Sequence, residues 1–208
     1  MAATHSPRRR MPAAQRRAAL LDAALEVFAK RGFTEASLDD VAARGGVSKA
    51  LIYEHFATKR DLQRALLEGF MREALGAVAT AFSAAQGTEA RLRASVDAFL
   101  GFVEARPAAW RMVGRNVGDP DAAEVVARLQ DEVTAAVAAL LEQEAPALDA
   151  TPEGHRRAVE VIARLISGGL QSLATWWVDH PDVPRAELVD RVLAVWWPGL
   201  ERVSRGEG

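Results

Sequence analysis

Residues 37–62 read Ser-Leu-Asp-Asp-Val-Ala-Ala-Arg-Gly-Gly-Val-Ser-Lys-Ala-Leu-Ile-Tyr-Glu-His-Phe-Ala-Thr-Lys-Arg-Asp-Leu, and they gather the side chains best suited to meeting a polyanion. Lys49 can reach a base acceptor or a phosphate, and Tyr53 and His55 can donate to phosphate oxygens. Ser37, Ser48 and Thr58 each open a helix, and the N–H groups at such an opening favour anions. Lys59 can clamp the flanking backbone. Ala50 is small enough to let the chain come close to a base edge. Leu51 offers an apolar contact, for example to a thymine methyl. The candidate DNA-binding set is therefore Ser37, Ser48, Lys49, Ala50, Leu51, Tyr53, His55 and Lys59. A small three-helix bundle carrying these as ordinary surface groups accounts for the bare pattern equally well.

Other chemistry finds little support. His5, His55, His155 and His180 are scattered without metal-ligand spacing, and the chain has no cysteine. No nucleophile elbow, phosphate loop or Gly-x-Gly-x-x-Gly after a strand is present. Asp131-Glu132 and similar pairs read as a solvated helix face. The expectation is a non-enzyme without cofactor or metal. No apolar run reaches the length of a membrane span. With no secretory leader either, the expected location is the cytoplasm.

Charge separates two parts of the chain. Residues 1–64 hold 12 Lys/Arg and 7 Asp/Glu, a net +5, and residues 65–208 hold 14 and 21, a net −7. A basic head on an acidic body points to a polyanion for the head alone.

The elements that must position these groups are all helical, since no stretch alternates with period two. Residues 1–11, with Arg8, Arg9 and Arg10, read as a disordered basic arm. A first helix starts near Pro12, carries Leu21, Ala24, Leu25 and Phe28 as its stripe, and ends at Gly32. Two short helices follow, capped by Ser37 and Ser48 and joined at Gly45-Gly46. Val41, Val47, Ile52 and Phe56 pack on Leu25 and Phe28, which leaves Lys49, Ala50 and Tyr53 outward. Thr58, with Asp61 three residues on, opens a fourth helix reaching about Ser83. Five more helices are expected: about 88–105, one to about Val117, 121–144, 152–178 and 184–204. The fold class is thus all-α with about nine helices. The domains are the arm 1–11, a three-helix helix-turn-helix domain 12–58, and a second helical domain 59–208.

The segment resembles the DNA-binding domain of the TetR family of bacterial regulators. The resemblance rests on Ser37, Leu38, Val41, Ala42, Gly46, Val47, Ser48, Ala50, Ile52, Tyr53, Phe56, Lys59 and Leu62, with Gly32-Phe33-Thr34 as lead-in. It covers about residues 12–66. Gly45, Leu51 and Glu54 depart from the usual pattern, which bears on the operator sequence more than on DNA binding. The resemblance implies a homodimer on a palindromic double-stranded DNA operator. It also implies a ligand pocket in the middle helices, a dimer interface from the last two helices, and repression as the commoner mode. A low-specificity architectural DNA-binding protein without an effector is the alternative.

Within the second domain, Phe82, Phe99, Phe102, Val103, Trp110 and Val113 could line an apolar effector cavity, with Arg111, Arg115 and Asn116 as polar anchors. Plain core packing explains the same stripe. Leu165, Gly169, Leu173, Trp176, Val192 and Trp196 are the candidate dimer residues. Trp176-Trp177 and Trp196-Trp197 are adjacent on their helices, so each pair serves two surfaces.

Overall fold

The computed structural model describes residues 12–115, 120–144, 148 and 151–204. The basic arm at 1–11 lies outside them. Among the described residues the chain forms helices only, α1 (Ala13–Arg31), α2 (Leu38–Gly45), α3 (Lys49–His55), α4 (Lys59–Ala84), α5 (Thr88–Ala105), α6 (Pro107–Arg115), α7 (Pro120–Glu144), α8 (Pro152–Trp177) and α9 (Arg185–Ser204). It divides into two compact units, Met1–Leu66 and Leu67–Gly208, and the division falls inside α4.

Local chemistry explains where the first unit's helices begin and end. Gly32 (φ 79°) closes α1 and Gly46 (φ 61°) closes α2, both in backbone regions that a Cβ disfavours. Ser37 Oγ accepts from the Asp40 N–H, while the Asp40 carboxylate accepts from the Ser37 N–H, a full capping box. Ser48 Oγ accepts from the Leu51 N–H and starts α3. Thr58 Oγ1 accepts from the Asp61 N–H at 3.0 Å ahead of α4.

The core of this unit comprises Leu20, Ala23, Ala24, Val27 and Phe28 of α1 with Leu38, Val41, Ile52, Phe56 and Leu62. The α1 stripe is rotated from the expected one. Leu21 and Leu25 are only half-buried, because Leu20, Ala23 and Val27 take the inward positions beside Ala24 and Phe28.

The second unit packs α4 to α9 around its own core. Phe70, Phe102, Phe99 and Trp110 form a chain of ring contacts at 4.7–6.3 Å between centroids. Arg185 of α9 lies over Gly101 and pairs with Asp97 and Glu104 of α5. A Cβ on Gly101 would stand 2.7 Å from that guanidinium, so the missing side chain is what admits it. Thr151 caps α8 by accepting from the Gly154 N–H.

Candidate nucleic-acid interface and ligand cavity

Three short packing facts set the orientation of α3. Ile52 is fully buried, Phe56 closes the helix against the core, and Leu51 and His55 are half-buried. The opposite side therefore points outward and carries Lys49, Ala50, Tyr53 (51 % exposed) and Glu54. A helix presented this way is the shape that enters a major groove about 12 Å wide.

The electrostatics of this face differ from the sequence expectation at four side chains. The Lys49 ammonium sits 2.9 Å from the Asp39 carboxylate of α2, which holds its pKa above the ordinary lysine value. Ser37 Oγ serves the capping box and donates to Asp40 at 2.7 Å, so it has no hydrogen left for a phosphate. The Asp40 carboxyl is held below the usual carboxylate range by those Ser37 bonds, with Arg31 at 2.8 Å adding to the effect. His55 turns its Nε2 into the head, where it is sealed from solvent without a hydrogen-bond partner, so that nitrogen does not face a phosphate. Lys59 donates to the Thr34 carbonyl at 3.3 Å and lies over the Phe33 ring, and burial holds its pKa below the ordinary lysine value. Its ammonium serves the fold and does not reach outward as a clamp. Ser48 is exposed at the opening of α3.

The second unit holds a partly open apolar cavity of about 350 Å³. Its walls include Leu67, Met71 and Phe82 of α4, Val96 and Phe99 of α5, Trp110 of α6, Val133 and Val137 of α7, Ile162 and Ile166 of α8, and Trp197 of α9. Polar groups are few. Thr134 and Ser167 hydrogen-bond each other at 3.1 Å in the wall, and Asp131 and Arg164 lie 3.5 Å apart.

Of the residues expected to line this space, Phe82, Phe99 and Trp110 do. Phe102 and Val103 do not: both are buried in the packing of α5, where the Phe102 ring meets Phe70 at a tilt of 51° under the Arg106 guanidinium. Arg111 does not either, since it ties α6 to the end of α8 by donating to the Val178 carbonyl and pairing with Asp179. The side chains of Val113 and Arg115, and all of Asn116, lie outside the described residues. Sequence reasoning missed the contributions of α7 and α8, whose Val133, Val137, Ile162 and Ile166 look like plain core by periodicity. Only the helix packing leaves a space in front of them.

The residues expected at a dimer interface separate into two groups. Leu165 (68 % exposed) and Trp176 (45 %) stand on the outer face of α8 with Val161, and Val195 of α9 is 74 % exposed. Val192 is buried inside the protomer, because it lies one turn from the Leu188-Val189 stripe that faces the core. Leu173 is half-buried. Gly169 is exposed beside the Trp196 ring, which a Cβ there would approach to 2.9 Å. The tryptophan pairs do serve two surfaces. Trp177 is buried and donates to the Val183 carbonyl at 2.8 Å, while Trp176 faces out and stacks on His180. Trp197 faces the cavity, and Trp196 borders Gly169.

Comparison with known proteins decides the family. The family model described as bacterial regulatory proteins, tetR family, matches residues 20–66, and the tetracyclin repressor-like C-terminal domain matches residues 88–199. The chain belongs to the TetR family of bacterial transcriptional regulators. The HTH-type transcriptional activator FasR of Mycolicibacterium smegmatis is 33 % identical over 202 residues, 93 % of this chain and 87 % of the relative. The crystal structure of a TetR-like transcriptional regulator from Rhodococcus sp. RHA1 has a TM-score of 0.71 at 28 % identity, covering 92 % of this chain and 99 % of that one. FadR from Bacillus subtilis, solved in complex with stearoyl-CoA, shares the fold with a TM-score of 0.70 at 16 % identity over 91 % and 98 % of the two chains. This regulator is thus an all-helical, helix-turn-helix DNA-binding protein. Among its described residues no helix is long and apolar enough to cross a membrane, and no cluster of His, Asp or Glu could hold a metal ion.

Proposed function

We propose that this regulator is a homodimer that occupies a palindromic operator through its two α3 helices and is released by an apolar effector bound in the second unit, acting as a repressor. The carrying observation is the cavity: about 350 Å³ of apolar space walled by six helices, in a unit separate from the helix-turn-helix. Small-molecule sites are typically concave, mostly apolar spaces of this size with few polar groups. The lining suits an aliphatic chain, and the stearoyl-CoA complex of FadR supports that class. Coupling runs through α4, whose first turns belong to the helix-turn-helix unit and whose Leu67, Met71 and Phe82 face the ligand.

Val161, Leu165 and Trp176 on α8 and Val195 on α9 supply the dimer face. Such exposed apolar groups are buried by a two-fold copy of themselves. Both heads then have to match a groove repeat of about 34–36 Å, so a small change in their spacing costs much of the affinity. The DNA contacts are Lys49, Ala50 and Tyr53, with the half-buried Leu51 at the edge of that face and the Ser48 hydroxyl toward a phosphate. The division of labour is residues 12–58 for DNA and 59–208 for effector and dimer, with arm 1–11 adding charge. The working location is the bacterial cytoplasm. The relative FasR is named an activator. Release by ligand gives either sign, depending on where the operator lies relative to the polymerase.

Titration of a fluorescent operator complex with stearoyl-CoA and with dodecanoate tests this reading. The expected result is a loss of operator affinity within the usual allosteric range of about 5–150-fold, together with a raised Tm of the free protein. An unchanged Tm and unchanged DNA affinity with both would refute the aliphatic effector. Equal affinity for operator and random DNA would favour an architectural role.

A further inference from the structure

We propose that Asp39 is a specificity-determining residue, which holds the Lys49 ammonium at the head of the recognition helix and so withholds that charge from DNA of the wrong sequence. The inference rests on the reading of α3 as the recognition helix. Lys49 is the only lysine or arginine on α3, whose sequence is Lys-Ala-Leu-Ile-Tyr-Glu-His. It is paired across to α2 at 2.9 Å, with both side chains largely exposed. Asp39 is thus placed where a DNA phosphate would stand to meet the same ammonium.

The neighbouring charges sharpen this role. Asp40 is occupied by Ser37 and Arg31, Arg44 pairs with Glu26, and Lys59 is drawn inward to Thr34. Residues 12–64 hold nine Lys/Arg against seven Asp/Glu, so the folded head is nearly neutral. Non-specific DNA affinity comes almost wholly from cations that displace counterions from the phosphates. Here the one lysine of the recognition helix is already paired with a carboxylate. A random phosphate has to compete with Asp39 and also meets its repulsion. A cognate base acceptor can take one N–H of the ammonium while another stays on Asp39, since the group carries three donors. The exchange is readily reversible because exposed ion pairs are weak.

The test compares wild type, Asp39→Asn, Asp39→Glu and Lys49→Ala on a mixed-sequence 24-base-pair duplex and on the selected operator, across a salt series. Asp39→Asn is expected to bind the mixed duplex about tenfold more tightly at low salt, with a log–log salt slope steeper by about one. Operator affinity should rise less, so the specificity ratio falls. Asp39→Glu should restore wild-type behaviour, which separates the charge effect from any loss at the α2 opening. If Lys49→Ala weakens DNA binding but Asp39→Asn leaves the mixed-duplex affinity and slope unchanged, the inference is overturned and the α3 reading stands. Equal weakening of both duplexes by Asp39→Asn would make Asp39 a positioning residue and also overturn it. If Lys49→Ala changes nothing, the α3 reading fails and this inference with it.

Discussion

Individual side chains show how much of the DNA-binding face is surface chemistry and how much is fold. Tyr53 is 51 % exposed on the outward face of α3, and the proposed role of its hydroxyl is to donate to a phosphate. Tyr53→Phe should weaken operator and random DNA alike, by a few-fold, since a phosphate contact carries no sequence information. A change in base preference, read by competition among single-base operator variants, would contradict that assignment. Asp40 belongs to the fold. Its carboxyl is held below the ordinary range, so the stability it adds is full at neutral pH and disappears as pH falls through its folded-state pKa. Wild type should therefore lose more stability than Asp40→Asn between pH 7 and strongly acidic pH, measured by urea unfolding. The sequence located Lys49, Ala50 and Tyr53 on the outward face because helical spacing alone separates them from Ile52 and Phe56. It could not show that Lys59 and His55 turn inward. That depends on the Phe33 ring, the Thr34 carbonyl and the tilt of α3, none of which has a periodic signature.

At the scale of elements, the helix boundaries were legible because capping chemistry is local. Ser37, Ser48, Thr58, Gly32 and Gly46 each mark an end that the structure reproduces. Gly46→Ala should cost about 1–2 kcal/mol, because φ is 61° there, although nothing crowds an added Cβ. Thermal or urea melting would read this as a lower Tm or midpoint; an unchanged midpoint would mean that the turn relaxes out of the left-handed region. What an element faces was less legible than where it ends. The α1 stripe was displaced by one residue because Leu20, Leu21, Leu25 and Val27 make the helix apolar on more than one side. Val192 looked available for a partner, yet α9 spends it on its own core. Gly169 is exposed, as a dimer position would be, but the Trp196 ring of the same chain borders it on one side.

For the whole molecule, exposed Leu165 and Gly169 beside the Trp196 ring yield a paired prediction about the proposed dimer. Leu165→Glu puts a charge on an exposed position and should give a folded monomer by sedimentation, with helical content kept and operator affinity greatly reduced. Gly169→Val drives a side chain into the Trp196 ring and should lower Tm as well as dimerisation. A Leu165→Glu protein that remains a dimer would move the interface away from the outer face of α8.

The central claim is a specific, two-headed DNA-binding protein. It is tested most directly by selecting fragments of the source genome on the purified protein and sequencing what is retained. The account predicts a shared palindrome whose half-sites are spaced for two heads on one face of the duplex. Retained fragments with no common motif, at the affinity of random DNA, would contradict it.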